Sequence, residues 1–208
     1  MRQRKEIIAR NIKVADTKAL DEWIAREKKL GNQTLEAEVN GGNQALAPLL
    51  AWSKAINTQI SDIVHGVPPF PLVRECLEKM VRQADAMVIS QTPGEALQRE
   101  WAEHNIDGFV RLIAGQEMGT KTDHIKLAAS GKYPADKILM IGDAPGDYKA
   151  AKGNKALFFP IIPGHEEDSW KKLLEEGLDR FFAGTFAGDY EAKLFHEFDA
   201  SLPENPAW

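Results

Sequence analysis

Two aspartates four positions apart, Asp143 and Asp147, are the residues of this chain best suited to carry chemistry. They follow the uncharged run Ile138-Leu139-Met140-Ile141, which has the length of a strand and stops at Gly142. A strand that is apolar on both faces suits the interior of a parallel sheet. Its carboxyl end would bring both carboxylates to the sheet edge where open α/β folds bind ligands. Gly142, Pro145 and Gly146 let the connecting loop turn tightly around a guest. Mg2+ is the matching guest, because it takes oxygen ligands and usually binds one or two carboxylates together with water and phosphate oxygens. The alternative is an ordinary strand-to-helix turn in which Asp147 caps the helix.

Two further stretches add groups of complementary charge. In Ser90-Gln91-Thr92-Pro93-Gly94-Glu95, Thr92 suits an N-cap, Pro93 the first helical position and Glu95 the acid of a capping box. Ser90 then ends the strand Ala86-Met87-Val88-Ile89 beside a helix N-terminus, where a hydroxyl and free N–H groups suit an anion. The alternative is that Ser90 merely closes a strand. Lys121 opens a helix after the loop Gly115-Gln116-Glu117-Met118-Gly119-Thr120. That loop fails the nucleotide-binding pattern G-x-x-x-x-G-K-[ST], since three residues separate the glycines and Thr120 intervenes before the lysine. An isolated lysine would be read as a solvated surface group; its place in the series serine, lysine, paired aspartates raises it.

These groups need an alternating framework to bring them together. Strands are expected at 84–90, 109–114, 137–142 and 156–162, and helices near 93–104, 122–130, 147–152 and 169–176. Such alternation implies a parallel sheet covered by helices on both faces, with right-handed crossovers. Pro71 can open a further helix carrying Leu72, Val73, Cys76, Leu77, Met80 and Val81. Residues 1–67 read instead as helical. Asp16 or Thr17 caps a helix with the stripe Leu20, Trp23, Ile24 and Leu30. A connection, Asn40-Gly41-Gly42-Asn43, leads to a second stripe of Leu46, Leu49, Leu50, Ile56, Ile60 and Ile63, ending before Pro68 and Pro69. The chain thus divides into a small helical cap, 1–67, and an α/β core, 68–208. The tail ending at Trp208 reads as extended.

The series resembles the haloacid dehalogenase superfamily. Ser90 matches its strand-ending Ser or Thr, Lys121 its lysine, and Gly142-Asp143-Ala144-Pro145-Gly146-Asp147 its G-D-x-x-x-D motif. The order and the separation of 31 residues between Ser90 and Lys121 also suit it. Pro69-Phe70-Pro71-Leu72-Val73 looks like that family's return to the core after a helical cap. The resemblance implies a Rossmann-like core and Mg2+-dependent hydrolysis of a small phosphorylated metabolite through an aspartyl-phosphate. Asp143 and Asp147 would hold the metal, Ser90, Gln91 and Lys121 the phosphate, and Lys121, Ser90 and Asp147 would act in catalysis.

One part of the family pattern is missing: the D-x-D-G-T motif that carries the nucleophile at the end of the first core strand. The nearest stretch, Ile12-Lys13-Val14-Ala15-Asp16-Thr17-Lys18, has a lysine at the second acidic position and no strand-like run, so Asp16 reads as a helix cap. In the family the missing strand lies between those corresponding to 84–90 and 137–142, and its loss leaves two ladders unpaired. A truncated start, a strand from another segment or chain, or a non-catalytic scaffold would each account for this; a metal-independent dehalogenase is a further alternative. His165, in Pro163-Gly164-His165, reads as a surface loop residue or a group facing the cleft.

A net charge of -5 argues against general nucleic-acid binding, which needs a basic footprint. No apolar run reaches the length of a membrane span, and the polar start lacks a secretory core, so a cytoplasmic location is expected. Cys76, the single cysteine, cannot form an internal disulfide and sits on an apolar helix face, which reads as a buried, inert thiol.

Overall fold

The computed structural model describes residues 5–12, 16–27 and 30–203, which fall into two units, one reaching His65 and one starting at Gly66. The tail expected to be extended, ending at Trp208, lies outside the described residues, as do Lys13, Val14 and Ala15. No helix among the described residues is long and apolar enough to cross a membrane.

The first unit holds α1 (Lys5–Ala9), α2 (Lys18–Arg26), α3 (Asn32–Asn40) and α4 (Ala47–Ile63). Trp23, Leu35, Leu46 and Leu50 form its core, with Leu20, Val39 and Leu49 packed against them. Helix α3 occupies a stretch for which the sequence reading offered no element. Its apolar signal is only the pair Leu35 and Val39, one turn apart. The two expected stripes are buried only in part. Leu30 is exposed because the helix ends at Arg26 and Glu27 is already extended, and Ile24, within the helix, is exposed too. Ile56, Ile60 and Ile63 are exposed as well. At 1.5 Å per residue, the nine residues of α3 match only about half the length of the seventeen-residue α4, so α3 cannot cover its far end.

The second unit is a mixed α/β assembly. It runs through α5 (Val73–Met80), β1 (Met87–Ile89), α6 (Gly94–Glu103), β2 (Leu112–Ala114), α7 (Lys121–Ala128), β3 (Leu139–Gly142), α8 (Pro145–Gly153) and β4 (Leu157–Pro160). It closes with α9 (Glu166–Lys172), a π-helical turn (Leu173–Gly177), α10 (Leu178–Ala183) and α11 (Asp189–Ser201). All four strands fall inside their expected ranges and pair in parallel. They make two separate two-stranded sheets, β1 with β2 and β3 with β4, and not one continuous sheet. Helix α5 starts two residues after Pro71, because Leu72 sits in the left-handed region at φ 69° and the proline belongs to the preceding turn.

The period of two along β3 and β4 sorts the core. Leu157, Phe159 and Ile161 join Cys76, Leu173, Leu178 and Phe186 on one face, with Leu139 and Ile141 packed against them. Met140 and Phe158 join Ile125, Ala150, Ala151 and Phe198 on the other. The helix α11 was not foreseen, although Tyr190, Leu194, Phe195 and Phe198 recur at helical spacing. Its Phe195 stacks on Tyr148 with ring centres 4.0 Å apart. Cys76 is fully buried, and burial first, with Glu75 adding, pushes its thiol up to about 12. A disulfide-exchange reagent at pH 8 is therefore expected to leave the folded chain unmodified and to titrate one thiol after denaturation. Rapid reaction of the native chain would contradict this burial.

Gly177 closes the π-helical turn onto β4. A methyl group there would lie 2.8 Å from Phe159 Cε2 and 3.2 Å from Leu173 Cδ1. Gly177→Ala is expected to cost about 1–3 kcal/mol by overpacking, read from urea unfolding. A stability unchanged within experimental error would mean that Phe159 yields freely.

Candidate functional site

The sequence places Lys121 and Asp147 twenty-six residues apart, and folding joins them. Lys121 is the first residue of α7, whose N-cap Thr120 accepts a hydrogen bond from the Asp123 N–H. The Asp123 carboxylate in turn accepts from the Thr120 N–H at 3.1 Å. This reciprocal cap fixes the start of the helix and with it the origin of the lysine side chain. The Lys121 ammonium donates to Asp147 Oδ1 at 2.5 Å, and the Ala144 N–H donates to Oδ2 at 3.1 Å. Asp147 is 1% exposed and the Lys121 side chain 26%. Gly142 makes this arrangement possible, since a methyl group on it would lie 2.5 Å from Asp147 Cβ, Cγ and Oδ2.

Asp143 lies on the same loop and is exposed. Ser90 follows β1, and its Oγ accepts from the Thr92 N–H at 3.1 Å. Gln91 reaches across to the neighbouring loop, donating from Nε2 to the Gly119 carbonyl at 3.2 Å, two residues before Lys121. The structure thus joins Lys121 to Asp147 directly and Gln91 to the loop that launches Lys121. Among the described residues, Ser90 and Asp143 make no hydrogen bond or ion pair to either member of the Lys121–Asp147 pair.

The start of α6 differs from the expectation. The N-cap is Pro93 and not Thr92, and no Glu95 capping box forms. The acid that takes the Gly94 N–H is Glu117, twenty-three residues on, through Oε2 at 3.1 Å. Gly115 lets the two loops touch, because a methyl group there would lie 2.5 Å from the Gly94 nitrogen. One of the N–H groups expected to await an anion is therefore occupied by the chain's own carboxylate. Glu117 was missed because its partner is distant in sequence, and only the adjacent glycine hinted at close approach.

Glu117's carboxyl is held below its usual range by its own N–H and then by that of Gly94. Asp123 is lowered by the Thr120 hydroxyl and N–H, and Asp85 by Tyr133 and Arg111. A folded-state pKa below the unfolded one contributes stability that is present above the unfolded value and lost as pH falls through the folded value. With reference values of 4.5 for Glu and 3.8 for Asp, the melting temperature is expected to hold down to the mid-fours and to fall below that. Glu117→Gln should make the fall shallower. A curve unchanged by that substitution would remove Glu117 from the account.

Among the described residues no group of three or more His, Cys, Asp or Glu side chains converges as a metal site. The donor set available is the carboxylate pair of one turn, which suits a Mg2+ ion that draws its other ligands from water and phosphate. Asp143 is the exposed donor. Asp147 is already hydrogen-bonded at both oxygens, with one further lone pair on each, and fits a supporting place.

His165 occupies the N-cap position of α9, with Nδ1 4.0 Å from Asp168. It lines a cavity of about 200 Å3 with Phe159, Pro160, Ile162, Ser169 and Lys172. Asp16 accepts a hydrogen bond from the Lys18 N–H at 3.0 Å, at the start of α2 in the helical unit. A residue that sequence reasoning overlooked is His124, 4% exposed on α7, with neither ring nitrogen hydrogen-bonded.

Neither protein-family models, nor curated proteins, nor solved structures give a match to this chain.

Proposed function

We propose that the α/β unit is a phosphoryl-transfer site that handles a small phosphorylated metabolite with Mg2+, as the resemblance to the haloacid dehalogenase superfamily implies. The observation that carries this reading is the ion pair of Lys121 with the buried Asp147, which unites two separately read motifs, one after β2 and one after β3. In this reading Asp147 is a positioning residue that aims the Lys121 ammonium. Lys121 offsets charge on the phosphate, and Ser90 and Gln91 hold its oxygens. Mg2+ held by Asp143, with Asp147 in support, would supply charge neutralisation at the phosphate. The Rossmann-like core and the cap role of the helical unit belong to the same proposal, as does a cytoplasmic setting without nucleic-acid or membrane partners.

A nucleophilic aspartate is not identified among the described residues, and Asp16 is engaged with the Lys18 N–H. That observation favours a second reading, a binding scaffold that holds phosphate without turning it over. Titration calorimetry with inorganic phosphate separates both from an inert fold. Mg2+ is expected to tighten phosphate binding at least tenfold in the native chain, and Asp143→Asn, at an exposed position, to abolish that gain. Absence of phosphate binding, or a gain untouched by Asp143→Asn, would sink both readings. Mg2+-dependent release of p-nitrophenol from its phosphate ester would then exclude the scaffold.

A further inference from the structure

The outer edge of β4 is closed by side chains instead of a further strand. The Phe158 N–H donates to Glu191 of α11 at 2.8 Å, and the Ile162 N–H to the Ser169 hydroxyl of α9 at 3.0 Å. Between them stands Pro160, which has no N–H to satisfy. Two cavities lie here, and no residue of the proposed phosphate site lines either. The first, of about 200 Å3, has Phe159, Pro160, Ile162 and Leu194 in its wall, with His165 and Asp168 beside them. The second, of about 380 Å3, is lined by Glu176, Arg180, Asp189, Tyr190 and Lys193. Lys172 and Leu194 belong to both walls, so the cavities adjoin. Lys172 is held to Glu197 of α11 at 3.0 Å.

The second cavity offers charges of both signs. Arg180 donates from Nε to Glu176 Oε1 at 2.8 Å and lies 4.5 Å from the centre of the Tyr190 ring, while its Nη groups carry no bond among the described residues. Lys193 and Asp189 are exposed and form no ion pair among the described residues. The Tyr190 hydroxyl is buried and makes no hydrogen bond. Burial first, and then the charge of Glu176, pushes it up to about 12, so it keeps its proton. It is a donor that lacks an acceptor, and such groups call for an explanation when buried. Glu176 belongs to the π-helical turn Leu173–Gly177, a wide turn of the kind that recurs at functional sites.

We propose that the two adjoining cavities form a binding site for a free α-amino acid with a bulky apolar side chain. Such a ligand carries a carboxylate and an ammonium on one carbon, and so needs both signs within one small space. The carboxylate takes the Tyr190 hydroxyl, the Lys193 ammonium and the unused Nη groups of Arg180. The ammonium faces Asp189 and Glu176. The side chain passes Lys172, whose long stem can move aside, and enters the apolar wall of Phe159, Pro160, Ile162 and Leu194. An apolar cavity of about 150 Å3 already holds a benzene ring, so this one admits a branched aliphatic or aromatic side chain. An apolar wall with a few convergent polar groups is the usual make-up of a small-molecule site. The inference stands apart from phosphate chemistry and needs neither Mg2+ nor phosphate.

The test is calorimetric titration of the full chain with L-leucine in phosphate-free buffer. Three probes each lack one part of it: 4-methylpentanoate the ammonium, 3-methylbutylamine the carboxylate, and glycine the side chain. Saturable binding of leucine is expected, with each truncated probe at least tenfold weaker. Tyr190→Phe should weaken leucine about threefold to tenfold without lowering the melting temperature, because its hydroxyl has no partner in the free chain to lose. Asp189→Asn, at an exposed position, should bring leucine down to the affinity of 4-methylpentanoate. Absence of saturable leucine binding would overturn the inference. So would equal affinity for leucine and 4-methylpentanoate, which would mean a plain carboxylate site, or for leucine and glycine, which would leave the apolar cavity unused. Undiminished binding by Tyr190→Phe, or early melting of that variant, would overturn the role of the hydroxyl and the site with it. Because these readouts contain no phosphate, their failure and a failure of the phosphate titration are separate results.

Discussion

Lys121→Met is expected to destabilise the chain by about 3 kcal/mol, and by more than Asp147→Asn does. The asymmetry follows from burial: Asp147 is 1% exposed, and without the ammonium its charge keeps only the Ala144 N–H. Removing one partner of a buried pair costs about 3–5 kcal/mol when it strands the other, and the remaining N–H places this case at the low end. Asp147→Asn instead leaves an ammonium on a flexible stem that is already a quarter exposed. It can swing toward water, for a cost of about 1–2 kcal/mol. The double variant should therefore cost less than the sum of the two, with a coupling of about 1 kcal/mol or more. Urea unfolding of the four proteins measures this. Additive effects, or a Lys121→Met cost under about 0.5 kcal/mol, would show that the pair is a surface contact in energetic terms.

What could be read in advance divides along physical lines. The β3 strand and its turn were legible because Leu139 to Gly142 are uncharged and the glycine is demanded locally, by the Asp147 carboxylate folded against it. The start of α7 was legible to within a residue, since Thr120 and Asp123 cap each other across three positions. Features that depend on distant partners were not. Glu117 caps a helix that begins at Gly94, and nothing near residue 117 announces it. Helix α11 was missed although its aromatic spacing is regular, because no motif drew attention to it. In the helical unit, periodicity described the stripe of α4 but not which half would be covered; that depends on the length of α3. The pairing of Lys121 with Asp147 lies between these cases. Each residue was picked from its own loop, while their contact is a product of α7 packing on α8.

The second large effect is expected from the smallest change, Gly142→Ala. The added methyl would sit 2.5 Å from three atoms of a buried carboxylate, closer than real Cβ contacts allow. Asp147 cannot retreat within its pocket, so it must rotate and release both the Ala144 N–H and the Lys121 ammonium. Overpacking contributes about 1–3 kcal/mol and the broken pair a similar amount, for a loss of about 3 kcal/mol or more. Loss of the Mg2+-assisted phosphate affinity should accompany it, because Lys121 is no longer aimed. Gly146→Ala in the same turn is the matched control. A methyl there meets nothing within 4 Å, and the residue lies in the first turn of α8, where alanine favours helix. Its stability should equal or exceed that of the native chain by a few tenths of a kcal/mol. If the two alanine variants melt together, the close approach of Gly142 to Asp147 does not govern this turn. If Gly142→Ala alone melts early yet keeps its phosphate affinity, Asp147 holds the fold without aiming Lys121, and the site must be assigned to other residues.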